Sequence, residues 1–324
     1  MKIKSIKTEV KYIPLKTPFV TALRRVENVE FVSVRVQCDN GLLAFGEAPA
    51  TMAITGEDLE IITNSINLVK DKIVSYAPQD ALTILHNSNI GSSAKAAVDM
   101  ALISLLAQEQ KKELHEYLGA KEKVEIKTDI TISLNPTEAM IKDAKEAYQN
   151  GHDILKVKLG SDINHAIQTT KKISLELPKA KLLIDANQAW GLNDTLMYLN
   201  AVKDIKIELL EQPVNAKDIS SLKTITLSTK TPILADEAAF TLEDVKKIVQ
   251  TKSADMINIK LMKCGGLSKA VEILEYAREN SVKCMLGSML EGPVSINAAY
   301  ALAEAYIDVI EYVDLDSPLL YKDV

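Results

Sequence analysis

The chain has very few cysteines. Three occur among 324 residues, and they are widely separated at Cys38, Cys264 and Cys284. A small, odd number of distant cysteines cannot form the dense disulfide framework of small secreted folds, and no pair has the short spacing of a thiolate metal site. A chain of this length buries enough surface to fold without such staples. The cysteine content therefore predicts a reduced, cytoplasmic protein stabilised by its apolar core.

The sequence also lacks the features of proteins that bind nucleic acids or membranes. It carries 38 basic and 44 acidic residues, for a formal net charge of −6, whereas nucleic acids and anionic membranes attract a basic excess. No apolar run approaches the length of about 18 residues that indicates a transmembrane helix, and the N-terminus lacks the apolar core of a signal peptide. We therefore expect no nucleic-acid partner and no membrane association, and a homo-oligomer is compatible with this composition.

The first part of the chain shows mixed strand and helix signals. Alternating apolar side chains on either side of an Asp-Asn-Gly turn predict a hairpin over residues 30–47. Thr55 and Asp58 resemble a capping box that opens a helix. A second helix, over about residues 93–110, is apolar on nearly every face and is expected to be buried. We predict an α+β domain over residues 1–122.

Beyond this domain, strands and helices alternate regularly. Short aliphatic or β-branched runs recur at intervals of 24 to 27 residues, and helical patterns fill the intervals. This rhythm is typical of parallel α/β proteins. Eight strands with seven intervening helices and no break in the repeat favour a closed barrel over an open sheet, so we predict a (β/α)7β TIM-like barrel over residues 123–314. One position in each run marks the repeat: Thr131, Lys158, Asp185, Glu211, Asp236, Lys260, Leu286 and Tyr312.

Three acids end successive strands of the predicted barrel. Asp185, Glu211 and Asp236 fall at the carboxyl ends of the third, fourth and fifth strands, which is the end where barrel active sites lie. Each acid alone could simply cap the following helix. Three at matched depth predict a site for a hard cation such as Mg²⁺, because this ion prefers carboxylate oxygen.

Lysines flank these acids on both sides. Lys156 and Lys158 are two residues apart on the second strand, so both side chains point to the barrel interior. Lys260 ends the sixth strand, on the opposite side of the barrel. We expect the pKa values of these lysines to be depressed by burial and by the neighbouring cations, which suits general bases. Bases on opposite sides can remove a proton from one face of a substrate and return it to the other.

Five motifs in this order resemble the muconate-lactonizing subgroup of the enolase superfamily: KVK, LIDANQAW, ELLEQP, ILADEA and NIK. The similarity spans nearly the whole chain and implies that residues 1–122 form a capping domain, to which a tail at about 315–324 returns. It further implies Lys158 and Lys260 as the two acid/base catalysts, with Lys156 supporting the first of them and the substrate carboxylate. The implied Mg²⁺ ligands are Asp185, Glu211 and Asp236.

Further residues resemble the dipeptide epimerases of that subgroup. Asp314 and Asp316, two apart after the last strand, are similar to a pair that binds the α-ammonium group of a dipeptide. Arg24 lies in a segment that resembles a mobile loop of the capping domain, and the resemblance implies contact with a glutamate side chain. Ser288 and Met289 are expected to shape the site rather than to perform chemistry.

The resemblance implies a Mg²⁺-dependent epimerase that inverts the C-terminal residue of a dipeptide such as L-Ala-L-Glu through 1,1-proton transfer. An N-acylamino-acid racemase or an o-succinylbenzoate synthase would use the same machinery on substrates without a free α-ammonium group. Two alternatives of other classes stay open. One is a Schiff-base aldolase with a lysine nucleophile, and the other is a metal-binding scaffold without catalysis.

Overall fold

An antiparallel sheet packed on helices forms the N-terminal part of the computed structural model, which describes residues 1–20 and 25–322. Its elements are β1 (Ile3–Val20), β2 (Arg25–Cys38), β3 (Leu43–Pro49), α1 (Met52–Thr55), α2 (Leu59–Ile73), α3 (Pro78–His86), α4 (Ser92–Glu109) and α5 (Leu114–Tyr117). β2 pairs antiparallel with both β1 and β3. The predicted hairpin is therefore confirmed, and we call this part of the chain the cap.

The helices of the cap follow the sequence prediction with one correction. α4 is buried along most of its length, and it lies so close to β3 that a Cβ at Gly46 would collide with the carbonyl of Ala97. The predicted capping box of Thr55 and Asp58 is wrong. Asp58 alone caps α2 by accepting from the backbone N–H of Ile61, whereas Thr55 ends the separate helix α1.

Eight parallel strands follow in chain order and form a single sheet. Asp129 N donates to Val313 O at 2.9 Å and joins the first strand to the last, so the predicted barrel is confirmed. Seven helical connections separate the strands. The elements are β4 (Ile130–Ile132), α6 (Thr137–Gln149), β5 (Ile154–Lys158), α7 (Ile163–Glu176), β6 (Lys181–Asp185), α8 (Leu192–Ala201), β7 (Leu209–Glu211), α9 (Ile219–Ser228), β8 (Ile233–Ala235), α10 (Leu242–Thr251), β9 (Met256–Ile259), α11 (Leu261–Cys264), α12 (Leu267–Glu279), β10 (Lys283–Gly287), α13 (Pro293–Ala305), β11 (Ile310–Asp314) and α14 (Ser317–Leu320).

The barrel interior is layered. Leu183, Leu209 and Leu234 are fully buried in one apolar layer, together with two methionines of β9 and β10. Successive side chains of a strand alternate between its two faces, so the residue two positions after each leucine also points inward. Those positions hold the three predicted metal ligands. The strand pattern thus places an apolar layer below a charged one at the carboxyl ends of the strands.

Two buried carboxylates of the cap bind the starts of barrel helices. Glu47 of β3 accepts from the backbone N–H groups of Val294 and Ser295 at 2.8 and 3.3 Å, in the first turn of α13. Asp99 of α4 accepts from the backbone N–H of Ser268, in the first turn of α12. Since helix starts carry unsatisfied N–H groups, these bonds fix the cap against the barrel.

The C-terminal segment contacts the cap as well. Tyr321 forms a bridge with Leu15 of β1, and Lys322 N donates to Pro14 O at 2.8 Å.

Across the two described ranges, no helix combines the length and the apolar character that a membrane span requires.

Candidate active site

The three predicted metal ligands lie together at the carboxyl ends of adjacent strands. Asp185 ends β6 and Glu211 ends β7, and the two are paired in register; Asp236 directly follows β8. Their side chains are 0 to 2% exposed. The register of the parallel sheet therefore gathers three carboxyl groups at one depth of the barrel interior.

The predicted lysines surround these acids. Lys158 Nζ lies 2.6 Å from Asp185 Oδ2, and Lys260 Nζ lies 2.7 Å from Asp236 Oδ2. Lys158 ends β5 and Lys260 directly follows β9, and these two strands are four apart in the eight-stranded sheet. Lys158 and Lys260 therefore lie on opposite sides of the barrel, and both line one pocket. Lys158 is thus paired with Asp185, and Lys260 with Asp236.

Lys156 lies deeper than the other two lysines. Its side chain is fully buried, and its Nζ is 2.8 Å from Glu211 Oε2 and 2.5 Å from Asp314 Oδ2. It also lies 3.5 Å from Asp185 Oδ2. Lys156 thus links the last strand of the barrel to the acids of the third and fourth, and it supports the pocket from below.

The acids of the site act against the predicted depression of the pKa at two of the three lysines. Burial lowers the pKa of Lys260, but the charges of Asp236, Glu211 and Asp314 together outweigh burial and raise the pKa above its ordinary range. Burial also lowers the pKa of Lys156, but the charges of Asp314, Glu211 and other nearby acids together raise it well above its ordinary value. The sequence argument counted neighbouring cations and omitted the carboxylates that lie closer.

The acids present fit a divalent cation. Burial and the charge of Asp185 raise the pKa of Glu211 to about 7, and burial and the charge of Asp236 raise that of Glu237 to about 8. Glu237 Oε2 is buried without a hydrogen bond, and Glu211 Oε2 is buried with only the ammonium group of Lys156 close to it. Oxygen atoms in this state are suitable ligands for a hard ion such as Mg²⁺. Glu237 was missed by the sequence analysis, although it directly follows Asp236.

A second cluster of acids lies beside the first. Among the described residues, one set of three acids has oxygens that all lie within 4.8 Å of one another, and it comprises Asp129, Asp314 and Asp316. The predicted metal ligands are less tightly grouped, because Asp185 and Asp236 each turn an oxygen toward a lysine. Asp129, which the sequence analysis also missed, is fully buried and neither of its carboxyl oxygens has a hydrogen-bond partner.

The predicted pair Asp314 and Asp316 forms one wall of the pocket. Asp316 Oδ2 accepts from the backbone N–H of Thr131 at 2.7 Å. Burial and the charge of Asp314 raise the pKa of Asp316 to about 6. Burial raises the pKa of Asp314, but the charges of Lys156, Lys158 and Lys260 together lower it below its ordinary value. The wall therefore concentrates negative charge, which favours a cationic group of a ligand.

Ser288 and Met289, which the sequence analysis expects to shape the site, also line the pocket. Ser288 Oγ donates to Asp314 O at 3.1 Å, and Met289 N donates to Glu291 Oε1 at 2.9 Å. Phe19 of the cap contributes to the same pocket. Arg24 lies outside the described residues, so its predicted contact with the substrate stays a prediction. The remaining apolar lining comes from the cap and from the loop after β10: Ala53, Ile54 and Leu290.

Lys263 is a buried lysine of the site that the sequence analysis overlooked. Its Nζ lies 2.6 Å from Asp236 Oδ1, and it donates to the backbone carbonyls of Asp236 and Asn258 at 2.6 and 2.8 Å. The signal was its position three residues after Lys260, which puts the two lysines one helical turn apart.

Comparison with known proteins agrees with this geometry. Residues 4–119 match the family described as "Mandelate racemase / muconate lactonizing enzyme, N-terminal domain", and residues 139–323 match "Enolase C-terminal domain-like". The chain is 57% identical to an L-amino acid-D/L-Glu epimerase of Sulfurimonas denitrificans, over 100% of this chain and 95% of that protein. It is 39% identical to the L-Ala-D/L-Glu epimerase of Bacillus subtilis, over 99% and 90% of the two chains.

Two solved structures extend the comparison to three dimensions. A substrate-liganded complex of the Bacillus subtilis L-Ala-D/L-Glu epimerase superposes with a TM-score of 0.96 at 38% identity and covers 100% of this chain and 92% of that one. A dipeptide epimerase from Enterococcus faecalis, complexed with Mg and the dipeptide L-Leu-L-Tyr, gives 0.96 at 34% identity and covers 100% and 93%. With both parts of its length matched and its barrel ends carrying the expected acids and lysines, the chain belongs to the mandelate racemase/muconate lactonizing enzyme family of the enolase superfamily.

Proposed function

We propose that this protein is a Mg²⁺-dependent dipeptide epimerase that inverts the α-carbon of the C-terminal residue of L-Xaa-D/L-Glu dipeptides. The observation that carries the proposal is the placement of Lys158 and Lys260 on opposite sides of one pocket whose wall is formed by Asp314 and Asp316. Two amines on opposite sides of a substrate suit proton transfer from one of its faces to the other. A pair of carboxylates suits the binding of its ammonium group.

The two lysines exchange the roles of base and acid with the direction of reaction. An amine on one side takes the α-proton, and the ammonium group on the other side returns a proton to the opposite face. The enediolate formed between these steps is an anion, and preorganised positive charge in a buried site stabilises it. Lys156, fixed below the pocket, contributes such charge.

Asp185, Glu211 and Asp236 would hold the Mg²⁺, with Glu237 beside them. The bound ion supplies Lewis-acid stabilisation of the negative charge that develops on the substrate carboxylate. Asp129, Asp314 and Asp316, although more tightly grouped, are better suited to an ammonium ion. The reason is that the resemblance to dipeptide epimerases implies an ammonium site at Asp314 and Asp316 and the ion at Asp185, Glu211 and Asp236.

The substrate class follows from the pocket and from the relatives. Asp314 and Asp316 favour a free α-ammonium group, which N-acylamino acids and the substrate of o-succinylbenzoate synthase lack. The apolar lining of Phe19, Ile54 and Leu290 favours uncharged side chains at the first residue of the dipeptide. Two of the relatives are named for glutamate at the second residue, and Arg24 is our candidate for its side-chain carboxylate, as a bidentate donor.

The test is incubation with a panel of L-Ala-L-Xaa and L-Xaa-L-Glu dipeptides in D₂O with Mg²⁺. Nuclear magnetic resonance follows loss of the α-proton signal and appearance of the second diastereomer. We expect exchange at the C-terminal residue, fastest with glutamate there, and no exchange at the N-terminal residue. Exchange with N-succinyl amino acids but with no dipeptide would contradict the proposal.

Asp316→Asn provides a second test. We expect it to raise the KM for dipeptides by at least about tenfold, because a buried charge-assisted hydrogen bond to the ammonium group is lost. An unchanged KM would remove the argument for a dipeptide. Borohydride trapping of a lysine with a carbonyl substrate, combined with indifference to a metal chelator, would instead indicate a Schiff-base aldolase.

A further inference from the structure

Asp129 is a buried acid of the barrel interior to which the proposed reaction gives no role. It directly precedes β4, and its backbone N–H donates to Val313 O where the barrel closes. Its exposed fraction is 0%. Since every second residue of a strand points to the same face, Asp129 lies one layer below Thr131, which lines the pocket. Asp129 is therefore placed behind the wall of the pocket.

The carboxyl group of Asp129 lies against two acids that do line the pocket. One oxygen from each of Asp129, Asp314 and Asp316 lies within 4.8 Å of the other two. Carboxylates that share a buried site repel one another, and this repulsion strongly raises at least one of their pKa values. Lys156, which lies 2.5 Å from Asp314 Oδ2, brings a single positive charge to these three acids. We therefore expect the cluster to retain a proton.

The hydrogen bonds of the three acids indicate which of them holds this proton. Asp314 accepts from Lys156, and Asp316 accepts from the backbone N–H of Thr131 at 2.7 Å. Donors of this kind stabilise the ionised form of a carboxyl group. Within the described part of the chain, neither oxygen of Asp129 has a hydrogen-bond partner. Burial and the charge of Asp314 raise the pKa of Asp129 well above its ordinary value, although the charge of Lys156 lowers it.

We propose that Asp129 is protonated in the folded protein and is a positioning residue, whose O–H donates to Asp314 and holds that carboxylate toward the pocket. A protonated carboxyl group has one O–H donor, and an oxygen of Asp314 lies close enough to accept it. The proton also removes one of three like charges, so Asp314 and Asp316 can both stay ionised. This inference rests on the proposed function, because it takes the ammonium group of a dipeptide as the ligand of Asp314 and Asp316.

Two substitutions separate this role from a charge that acts on the ligand. Asparagine is neutral and keeps an N–H donor, so Asp129→Asn imitates the protonated acid. Leucine has a similar size and no polar atom, so Asp129→Leu removes the donor. An ionised Asp129 that attracted the ammonium group would make Asp129→Asn as damaging as Asp316→Asn.

The first experiment measures epimerisation of L-Ala-L-Glu by the Mg²⁺-loaded variants. Asp129→Leu should raise the KM at least about fivefold, because Asp314 loses a buried hydrogen bond. The kcat should stay within about threefold of the wild type, since the proton transfer occurs at the other residue of the dipeptide. Asp129→Asn should restore the KM to within about twofold. A KM for Asp129→Asn as high as that of Asp316→Asn, or an unchanged KM for Asp129→Leu, would overturn the proposal.

The second experiment detects the proton itself and needs no substrate. A protonated carboxyl group has a C=O stretching band at higher frequency than a carboxylate or an amide, and the band shifts in D₂O. Infrared difference spectra of the Mg²⁺-loaded proteins near neutral pH should show such a band in the wild type that Asp129→Asn lacks. Identical spectra in this region would overturn the proposal. Loss of the band together with a wild type that epimerises no dipeptide would support the protonation and count against the proposed function alone.

Matched controls accompany both experiments. Asp204→Asn changes an exposed acid between α8 and β7, and it should match the wild type in the kinetics and in the infrared spectrum. Urea unfolding establishes that each variant is folded. If Asp129→Leu does not fold, Asp129→Ala carries the same kinetic predictions.

Discussion

Individual side chains at the mouth of the barrel carry more negative than positive charge. Seven acids and four lysines are buried there. Burial and the charges of neighbouring acids together raise the pKa values of Glu211, Glu237 and Asp316. An excess of buried acids is unfavourable unless a cation compensates it. The acids are Asp129, Asp185, Glu211, Asp236, Glu237, Asp314 and Asp316, and the lysines are Lys156, Lys158, Lys260 and Lys263.

Glu291 should make stability depend on pH. It is buried in the loop before α13, and burial raises its pKa from 4.5 to about 7. Between these values the folded protein holds a proton that the unfolded chain has released, so this group lowers the free energy of unfolding as pH rises. Relative to the wild type, Glu291→Gln should gain up to about 3 kcal/mol between about pH 5 and about pH 8.

Urea unfolding at several pH values measures this difference. The exposed Glu60 of α2 provides a matched control, and Glu60→Gln should show the same pH dependence as the wild type. Parallel curves for Glu291→Gln and the wild type would show that Glu291 is ionised in the folded protein.

Among the helices, three begin at a glycine and are capped by a carboxylate from elsewhere in the chain. Glu57 accepts from Ser93 and Ala94 at the start of α4, and Asp99 and Glu47 serve α12 and α13 in the same way. A Cβ on the glycine at each start would collide with the remote carboxylate. At these three positions glycine is therefore required, because its missing side chain leaves room for the carboxylate. Those glycines are Gly91, Gly266 and Gly292.

Gly292→Ala should destabilise the junction between the cap and the barrel. Its Cβ would lie 2.5 Å from Glu47 Oε2 and 2.9 Å from the ring of Phe31. We expect a loss of about 1–3 kcal/mol in the free energy of unfolding, because a buried carboxylate loses its donors. The KM should rise too, since the preceding loop carries Met289 and Leu290.

Gly191→Ala is the matched control for this substitution. Gly191 also precedes a helix, α8, but nothing lies within 4 Å of its Cβ position and its φ is −97°. We expect a change within about 0.5 kcal/mol. Equal effects of the two alanines in urea unfolding would contradict the role of Glu47.

At the scale of the whole molecule, the cap and the barrel together line the pocket. Hydrogen bonds from Glu47 and Asp99 of the cap to barrel helices also join the two parts. Phe19 and Ile54 of the cap line the pocket with Met289 of the barrel. Occupation of the charged end of this pocket should therefore stabilise the protein as a unit, because a ligand that binds only the folded state raises the free energy of unfolding.

Mg²⁺ should raise the thermal stability of the folded protein. At a free concentration of about 100 times its Kd, the expected gain is about 2.7 kcal/mol. Asp236→Asn should remove most of it, and Asp316→Asn should retain it. Scanning calorimetry with Mg²⁺ or a chelator measures the shift, with Asp194→Asn, an exposed acid of α8, as control. The reverse pattern for Asp236 and Asp316 would place the ion in the second cluster of acids.

Much of the fold could be predicted from local sequence pattern and spacing. The interval of 24 to 27 residues predicted the barrel, and the period of two along each strand predicted that Lys156 and Lys158 share a face. Those inferences succeed because strand periodicity and the pitch of a βα unit are set by backbone geometry. Capping was harder to predict, because Asp58 and Thr55 compete locally for the same role.

Contacts between distant segments could not be predicted from local sequence pattern. The remote caps Glu47 and Asp99, the buried Asp129 and the pairing of Lys263 with Asp236 join residues far apart in sequence or in separate elements. The direction of the lysine pKa values depended on the same contacts, since it is set by distances to carboxylates. Local periodicity identifies which residues point inward; the closure of the barrel and the docking of the cap determine which charges meet, because electrostatic energy depends on separation in space and not along the chain.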